Sequence, residues 1–319
     1  MKIICPDPKT FSIECIKEIK EIKQISATYL KDISQKRFDK IGKNYDIILT
    51  RFTRYIGKNI LSKDTKVRYI LTPTTNPEDY IDITQAKKRN IKIFSLIGEN
   101  KFLNKISATA EHTWLLILAL SRNLISASHS VSSLNWSPIK YKGIELQNKT
   151  IGIVGFGRLG KKVANYAKSF GMNVIFFDKK INSSKKYKKI NSLSSLILKS
   201  DIVSIHATLN KETYHMFNNK TLSKFKKNTL LINTSRGEII DSRSLVSFLK
   251  KKKIKGAALD LIENEVLLEK RKNNPLIKYS KKNKNIIITP HLGGYTEESV
   301  KKTDLFVLKK FTEYIKLRN

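Results

Sequence analysis

Three short segments carry residue types that do chemistry together: Asn233-Thr-Ser-Arg236-Gly237, Asp260-Leu-Ile-Glu263-Asn-Glu265 and Thr289-Pro-His291-Leu-Gly293-Gly294. Each comes directly after an apolar run of strand length, so each sits at the end of a predicted strand. Arginine offers a planar fork of donors to a carboxylate and stabilises negative charge as it develops on a ketone oxygen. Histidine supplies the proton that accompanies hydride arrival and takes it back in the reverse direction. A carboxylate beside it orients the ring and stabilises the imidazolium. Together these are the groups that hydride transfer to a small 2-keto acid requires. Glu263 and Glu265 both stand where the carboxylate is needed, and the one not used reads as a solvated side chain.

A hydride needs a carrier, and Gly155-Phe-Gly157-Arg158-Leu159-Gly160 offers a place for one. The G-x-G-x-x-G pattern is weak alone, but here a strand precedes it and an amphipathic helix follows over 159–170. Gly155 allows the tight turn, Gly157 lets a pyrophosphate approach the backbone, and Gly160 lets helix and strand pack closely. The helix N-terminus then presents N–H groups and partial positive charge to the pyrophosphate. Asp178 closes the next strand, 18 residues beyond Gly160. An acid there accepts hydrogen bonds from ribose hydroxyls and repels a 2′-phosphate, so NAD is expected over NADP. Lys179 and Lys180, which follow directly, soften that preference. No metal is implied, since Cys5 and Cys15 have no His at ligand spacing.

The elements that must position these groups alternate. Apolar runs at 2–5, 45–49, 69–71 and 91–94 read as strands, with helical patterns at 13–22 and 77–89 between them. A helix is expected over 107–128, apolar on nearly every face through Trp114-Leu-Leu-Ile-Leu-Ala-Leu120 and therefore buried between two bodies. Six further strands are predicted at 150–154, 173–177, 202–205, 229–232, 257–259 and 286–289, and a last helix over 297–317. Strands alternating with helices imply α/β architecture with parallel sheets, and ligands at the carboxyl ends of the strands.

In this order the motifs resemble the D-isomer-specific 2-hydroxyacid dehydrogenase family, over almost the whole chain. Thr72-Pro-Thr-Thr75 with Asp82, Ala108-Thr-Ala-Glu-His-Thr113, the glycine turn, His206 and the three segments above carry the resemblance. It implies two doubly wound parallel-sheet domains: a Rossmann domain at 103–291, inserted into a flavodoxin-like substrate domain formed by 1–102 and 292–319. The active site is then expected in the cleft, and a homodimer is expected through the apolar helix. By resemblance Arg236 holds the substrate carboxylate, His291 is the acid/base and Glu265, favoured by the family's spacing, is its partner. Val266 stands where the family commonly has proline. Arg158, Leu159, His206, Thr208, Thr234, Ser235, Asp260, Gly293 and Gly294 are expected to line the NAD site with Gly155, Gly157, Gly160 and Asp178, Asp260 lying near the nicotinamide. Glu111 and His112 read as packing and domain-contact residues, and His129 and His215 as structural.

For the far end of the substrate, Arg51 and Arg54 follow a strand and suit a second anionic group, while Thr75, Asn76, Leu96 and Gly98 lie on loops that offer N–H donors. A phosphorylated or sugar acid, 3-phosphoglycerate among them, is therefore expected. The chain ends at Asn319, where some phosphoglycerate dehydrogenases continue into a regulatory domain, so feedback through such a domain is not expected.

The formal charge of +35 suggests nucleic acid at first sight. Lysine outnumbers arginine 51 to 11, however, and is spread along the chain. Arginine is the usual reader of bases, so a solvated lysine surface is the expected reading, with anionic substrates attracted by the field. No apolar stretch approaches the ~20 residues a membrane span needs, and no signal-peptide core precedes Pro6. A cytoplasmic enzyme is expected. The competing reading is a catalytically silent NAD-binding regulator, which would have no use for Arg236, a glutamate and His291 together.

Overall fold

Short β-branched runs form the strands of a first unit, Met1–Ile106 with Tyr295–Asn319. The computed structural model describes residues 1–31 and 33–317. The strands are β1 (Lys2–Cys5), β2 (Ser26–Tyr29), β3 (Ile47–Leu49), β4 (Tyr69–Leu71) and β5 (Lys92–Phe94). They pair in parallel in the order β2-β1-β3-β4-β5, the flavodoxin-like arrangement. Ile4, Ile48 and Ile70 are fully buried beneath Phe38 and Ile60 on one face. The helix expected over 77–89 is shorter: a 3-10 turn at Pro77–Asp79, then a helix at Ile83–Lys88 that Asp82 caps by accepting from the Gln85 N–H.

The C-terminal helix, Glu297–Lys316, belongs to this unit. Thr296 caps it by accepting from Ser299 N–H, and Glu297 and Glu298 complement the positive end of its dipole. Asp304 on this helix is 2% exposed and ion-paired to Arg51.

The second unit, Ser107–Gly294, is built on β6 (Thr150–Val154), β7 (Asn173–Phe177), β8 (Lys188–Lys189), β9 (Ile202–Ile205), β10 (Leu230–Asn233), β11 (Gly256–Leu259) and β12 (Ile286–Ile288). Their order, β12-β11-β10-β9-β6-β7-β8, is all parallel and is the Rossmann order with one strand added beside β11. The short β8 was not expected from the sequence. The units part at 106/107 and 294/295, three or four residues beyond the boundaries expected.

Side chains alternate across this sheet, as the strand period demands. Ile151, Ile153, Ile202, Leu230 and Ile232 enter one core with Trp114, Val163 and Ala164. Val154, Val203, Ile205, Leu231 and Leu259 enter the other with Leu196, Leu245 and Leu276.

The helix expected over 107–128 is two helices, Ala108–Ser121 and Leu124–Ser132. Asn123 between them has φ +53°, a left-handed turn that asparagine tolerates and that ends the first helix. Within its own unit the first helix packs on the helix Arg158–Ser169 and on β10, β11 and β12, while its Leu115 is 53% exposed.

Candidate active site

Parallel pairing brings the chemistry-bearing segments to one end of the second sheet. The ladder runs one residue past each strand: His206 N–H donates to Val154 C=O at 2.7 Å, Asp260 N–H to Asn233 C=O at 2.9 Å, and Thr289 N–H to Leu259 C=O at 2.9 Å. Gly155, His206, Thr234, Asp260 and Thr289 therefore follow neighbouring strands in register.

At the glycine turn, Gly155 has φ +90°, and a Cβ there would stand 2.6 Å from the backbone of His206 and Ala207. A Cβ on Gly160 would stand 2.2 Å from the Gly155 carbonyl oxygen. Gly157 is exposed with open space around it, and it precedes the helix Arg158–Ser169 whose first N–H groups lack intrahelical partners. Burial lowers the pKa of the Arg158 guanidinium. Burial alone would raise the Asp178 carboxyl, but backbone N–H bonds from Ile181, Phe156 and Lys180, with the charge of Lys189, hold it below the usual range. Its Oδ1 accepts two of those bonds and Oδ2 only one, from Phe156 at 2.7 Å, so Oδ2 retains acceptor capacity.

His206 Nε2 pairs with Ser204 Oγ at 2.8 Å, while its Nδ1 is buried without a partner among the described residues. Burial pushes its pKa down to about 3, so the ring is neutral. A cradle open at Gly157, an anionic Asp178 and an orphaned buried ring nitrogen fit a dinucleotide. Thr234 is buried with its hydroxyl 2.8 Å from that of Thr113, Ser235 donates to Ile205 C=O, and Thr208 is exposed.

Asp260 is 1% exposed, and its carboxylate serves the histidine loop. Oδ1 accepts from Thr289 Oγ1 at 2.6 Å and Leu292 N–H at 2.8 Å; Oδ2 accepts from Gly293 N–H at 2.8 Å. His112 Nε2 lies 3.1 Å from Oδ1 and 3.0 Å from Thr289 Oγ1. Burial would raise this carboxyl, but these bonds together lower it. His112, expected to be a packing and domain-contact residue, thus joins the network beneath His291. Gly293 and Gly294 face Thr109.

His291 sits at φ +57°, its backbone N–H bound to Asp260 C=O at 2.8 Å. Its Nδ1 donates to Glu265 Oε1 at 2.5 Å, with both side chains about a quarter exposed. Glu263 is not a solvated carboxylate: it pairs with His215, 2.5 Å from Nε2. His215 therefore has a partner that its sequence surroundings do not reveal, 48 residues away. Arg236 follows β10, donating from Nη1 to Ser235 C=O at 2.6 Å.

In the first unit Thr75 and Gly98 are exposed, and Asn76 donates to Glu78 at 3.2 Å. Arg51 is 5% exposed and committed to Asp304, and Arg54 pairs with Asp7 at 3.0 Å. Each guanidinium already pairs with an aspartate of its own unit, which speaks against the expected role of the two arginines at a second anionic group.

Residues 114–293 match the family model for the D-isomer specific 2-hydroxyacid dehydrogenase, NAD binding domain, and the chain belongs to that family. It is thus an NAD-dependent oxidoreductase of 2-hydroxy acids. It is 35% identical over 265 residues to a glyoxylate reductase of Thermococcus litoralis, covering 80% of this chain and 76% of that one. It is 29% identical to a D-3-phosphoglycerate dehydrogenase of Methanocaldococcus jannaschii, over 99% of this chain and 58% of the relative. The D-lactate dehydrogenase of Aquifex aeolicus, solved with NAD and lactic acid, superposes with a TM-score of 0.81 at 27% identity, covering 99% and 96% of the two chains. No helix among the described residues is long and apolar enough to cross a membrane.

Proposed function

We propose that this protein interconverts a small, unphosphorylated 2-oxo acid and the corresponding 2-hydroxy acid, of D configuration where that carbon is chiral; glyoxylate, whose product glycolate is achiral, is the simplest such substrate. The observation that carries the reading is the His291–Glu265 pair at 2.5 Å, brought to the same end of the sheet as Arg236 and the glycine turn. Arg236 binds the substrate carboxylate and polarises the ketone. Glu265 fixes the tautomer of His291 with the proton on Nδ1, leaving Nε2 to exchange a proton with the substrate oxygen. NAD(H), when bound, accepts or supplies the hydride. Gly157 and the helix N-terminus hold its pyrophosphate, and Asp178 Oδ2 takes a ribose hydroxyl, favouring NAD over NADP. Asp260 and His112 hold the backbone of residues 291–293 in place for these contacts.

With Arg51 and Arg54 each paired to an aspartate, these two arginines lend no support to a substrate phosphate. The relatives called glyoxylate reductase support the smaller substrate. A silent regulator is not favoured, because the acid–base pair is assembled at hydrogen-bonding distance.

NADH absorbance followed with glyoxylate, pyruvate and 3-phosphohydroxypyruvate tests the reading. Glyoxylate is expected to turn over with the highest kcat/KM. His291→Ala is expected to lower kcat/KM by about 10²- to 10⁴-fold while NADH binding, read by fluorescence, stays unchanged. Turnover at the parent level in that variant would exclude the acid/base role.

The second proposal is a homodimer. From Leu124 to Ile139 there is no Lys, Arg, Asp or Glu, in a chain of which 28% is charged. Leu134, Trp136 and Ile139 are 97%, 85% and 88% exposed, with Leu124, Ile125 and Val131 beside them in sequence and about half exposed. So much exposed apolar surface in one segment marks an interaction site, and a second copy of this chain is its occupant.

A further inference from the structure

The turn that carries Glu265 is gripped from two directions by carboxylates that take no part in the chemistry above. Glu263 reaches outward: Oε1 accepts from His215 Nε2 at 2.5 Å, and Oε2 accepts from the backbone N–H of Ser242 at 3.1 Å, the first residue of the helix Ser242–Lys250. Glu238, two residues beyond Arg236, reaches inward and accepts from Asn264 N–H at 3.0 Å. Between these bonds the two backbones touch. A Cβ on Gly237 would stand 2.1 Å from the carbonyl carbon of Ile262 and 2.4 Å from the nitrogen of Glu263.

His215 is itself seated. Its N–H donates to Glu238 C=O at 2.8 Å, its ring stacks on Tyr214 at 4.1 Å, and Nδ1 lies 3.9 Å from Asp241 Oδ2. The charged groups around its ring are therefore Glu263 and Asp241. His215 and Asn264 both hold positive φ, +47° and +56°, the left-handed region that histidine and asparagine adopt more readily than most residues.

We propose that His215 and Glu263 are positioning residues for the reaction. Their pair locks the turn of residues 263–266 onto the segment that follows Arg236, so that the partner of His291 and the residue holding the substrate carboxylate keep one geometry. The inference rests on the acid–base reading of Glu265 and His291. The two side chains are only 29% and 17% exposed, so losing the pair weakens folding as well. The positioning role is told apart by rate, since a misplacement of about 1 Å at a reacting group costs up to ~10²-fold.

The test is steady-state reduction by NADH across pH 5–9 with Glu263→Ala, Glu263→Gln and His215→Gln. Glu263→Ala is expected to lose about ten- to a hundredfold in kcat with KM for NADH within about twofold. Its pH–rate profile should also differ from the parent's, because Glu265 no longer meets His291 in the same geometry. Glu263→Gln, which keeps an acceptor for Ser242 N–H, should recover most of the rate. A Glu263→Ala enzyme with parental kcat and pH profile overturns the proposal, as does a Gln variant as impaired as the Ala variant. If Glu263→Ala does not fold, His215→Gln carries the same two expectations. An active His291→Ala enzyme removes the acid–base reading itself, whereas an inactive one beside an unchanged Glu263→Ala removes only the positioning role.

Discussion

His206 shows how one residue divides the proton chemistry of this site. Its buried Nδ1 and its pKa near 3 keep it neutral near neutral pH, which is why the proposed acid/base is His291 and not His206. The same burial has a consequence for stability. In the unfolded chain histidine takes a proton near pH 6.5, while folded His206 refuses one until about pH 3. As pH falls through this window the unfolded state binds the extra proton, and folding weakens; above it the group costs nothing. Asp178 and Asp260, both held below the usual carboxylate range, lose their contributions only at lower pH. His206→Gln should therefore lose less stability between pH 7.5 and 4.5 than the parent, by about 2–3 kcal/mol, in urea unfolding. Equal losses would show that His206 is not buried as described. The placement of Arg236, Glu265 and His291 after strands was legible because apolar runs precede their segments, whereas the choice of Glu265 over Glu263 came only from the family's spacing. The pairing of His215 with Glu263 was not legible. Nothing in a sequence relates residues 48 apart until β10 and β11 lie side by side.

Elements were legible where burial wrote a pattern. The strands of the second sheet read as continuous apolar runs because both faces are covered. β2, Ser-Ala-Thr-Tyr at the sheet edge, is only partly buried and carries no such run. The break at Asn123 was hidden because apolar residues continue past it through Leu124 and Ile125, although those face solvent and not the core. At the active end, one glycine joins two elements. Gly237 lies in the turn after β10, against the loop after β11, and its contact is backbone to backbone. A methyl group has no flexible side chain to displace there, so Gly237→Ala must push the two loops apart. It should lower melting temperature and cut kcat about tenfold or more, with NADH affinity nearly kept because the glycine turn lies at another strand end. Parental kcat in a folded Gly237→Ala enzyme would show that this contact does not set the site.

At the scale of the molecule, charge and apolar surface oppose each other. Each chain carries a formal charge of +35, so two copies repel, while the segment from Leu124 to Ile139, free of Lys, Arg, Asp and Glu, offers the apolar surface through which the proposed dimer would form. The screening length shortens from about 30 Å at 0.01 M salt to about 8 Å at 0.15 M, which weakens repulsion between lysine surfaces and leaves apolar burial intact. Association of the proposed dimer should therefore become tighter as salt is raised, opposite to the behaviour of a complex held by ion pairs. Replacing Leu134 and Trp136 by serine should give a monomer at every salt concentration, because both side chains are more than four-fifths exposed in the single chain and need no core partner. Sedimentation equilibrium of the parent and the double variant at low and moderate salt decides the matter. A parent dimer that weakens with salt, or a double variant that still dimerises, would place the interface on another face of the molecule.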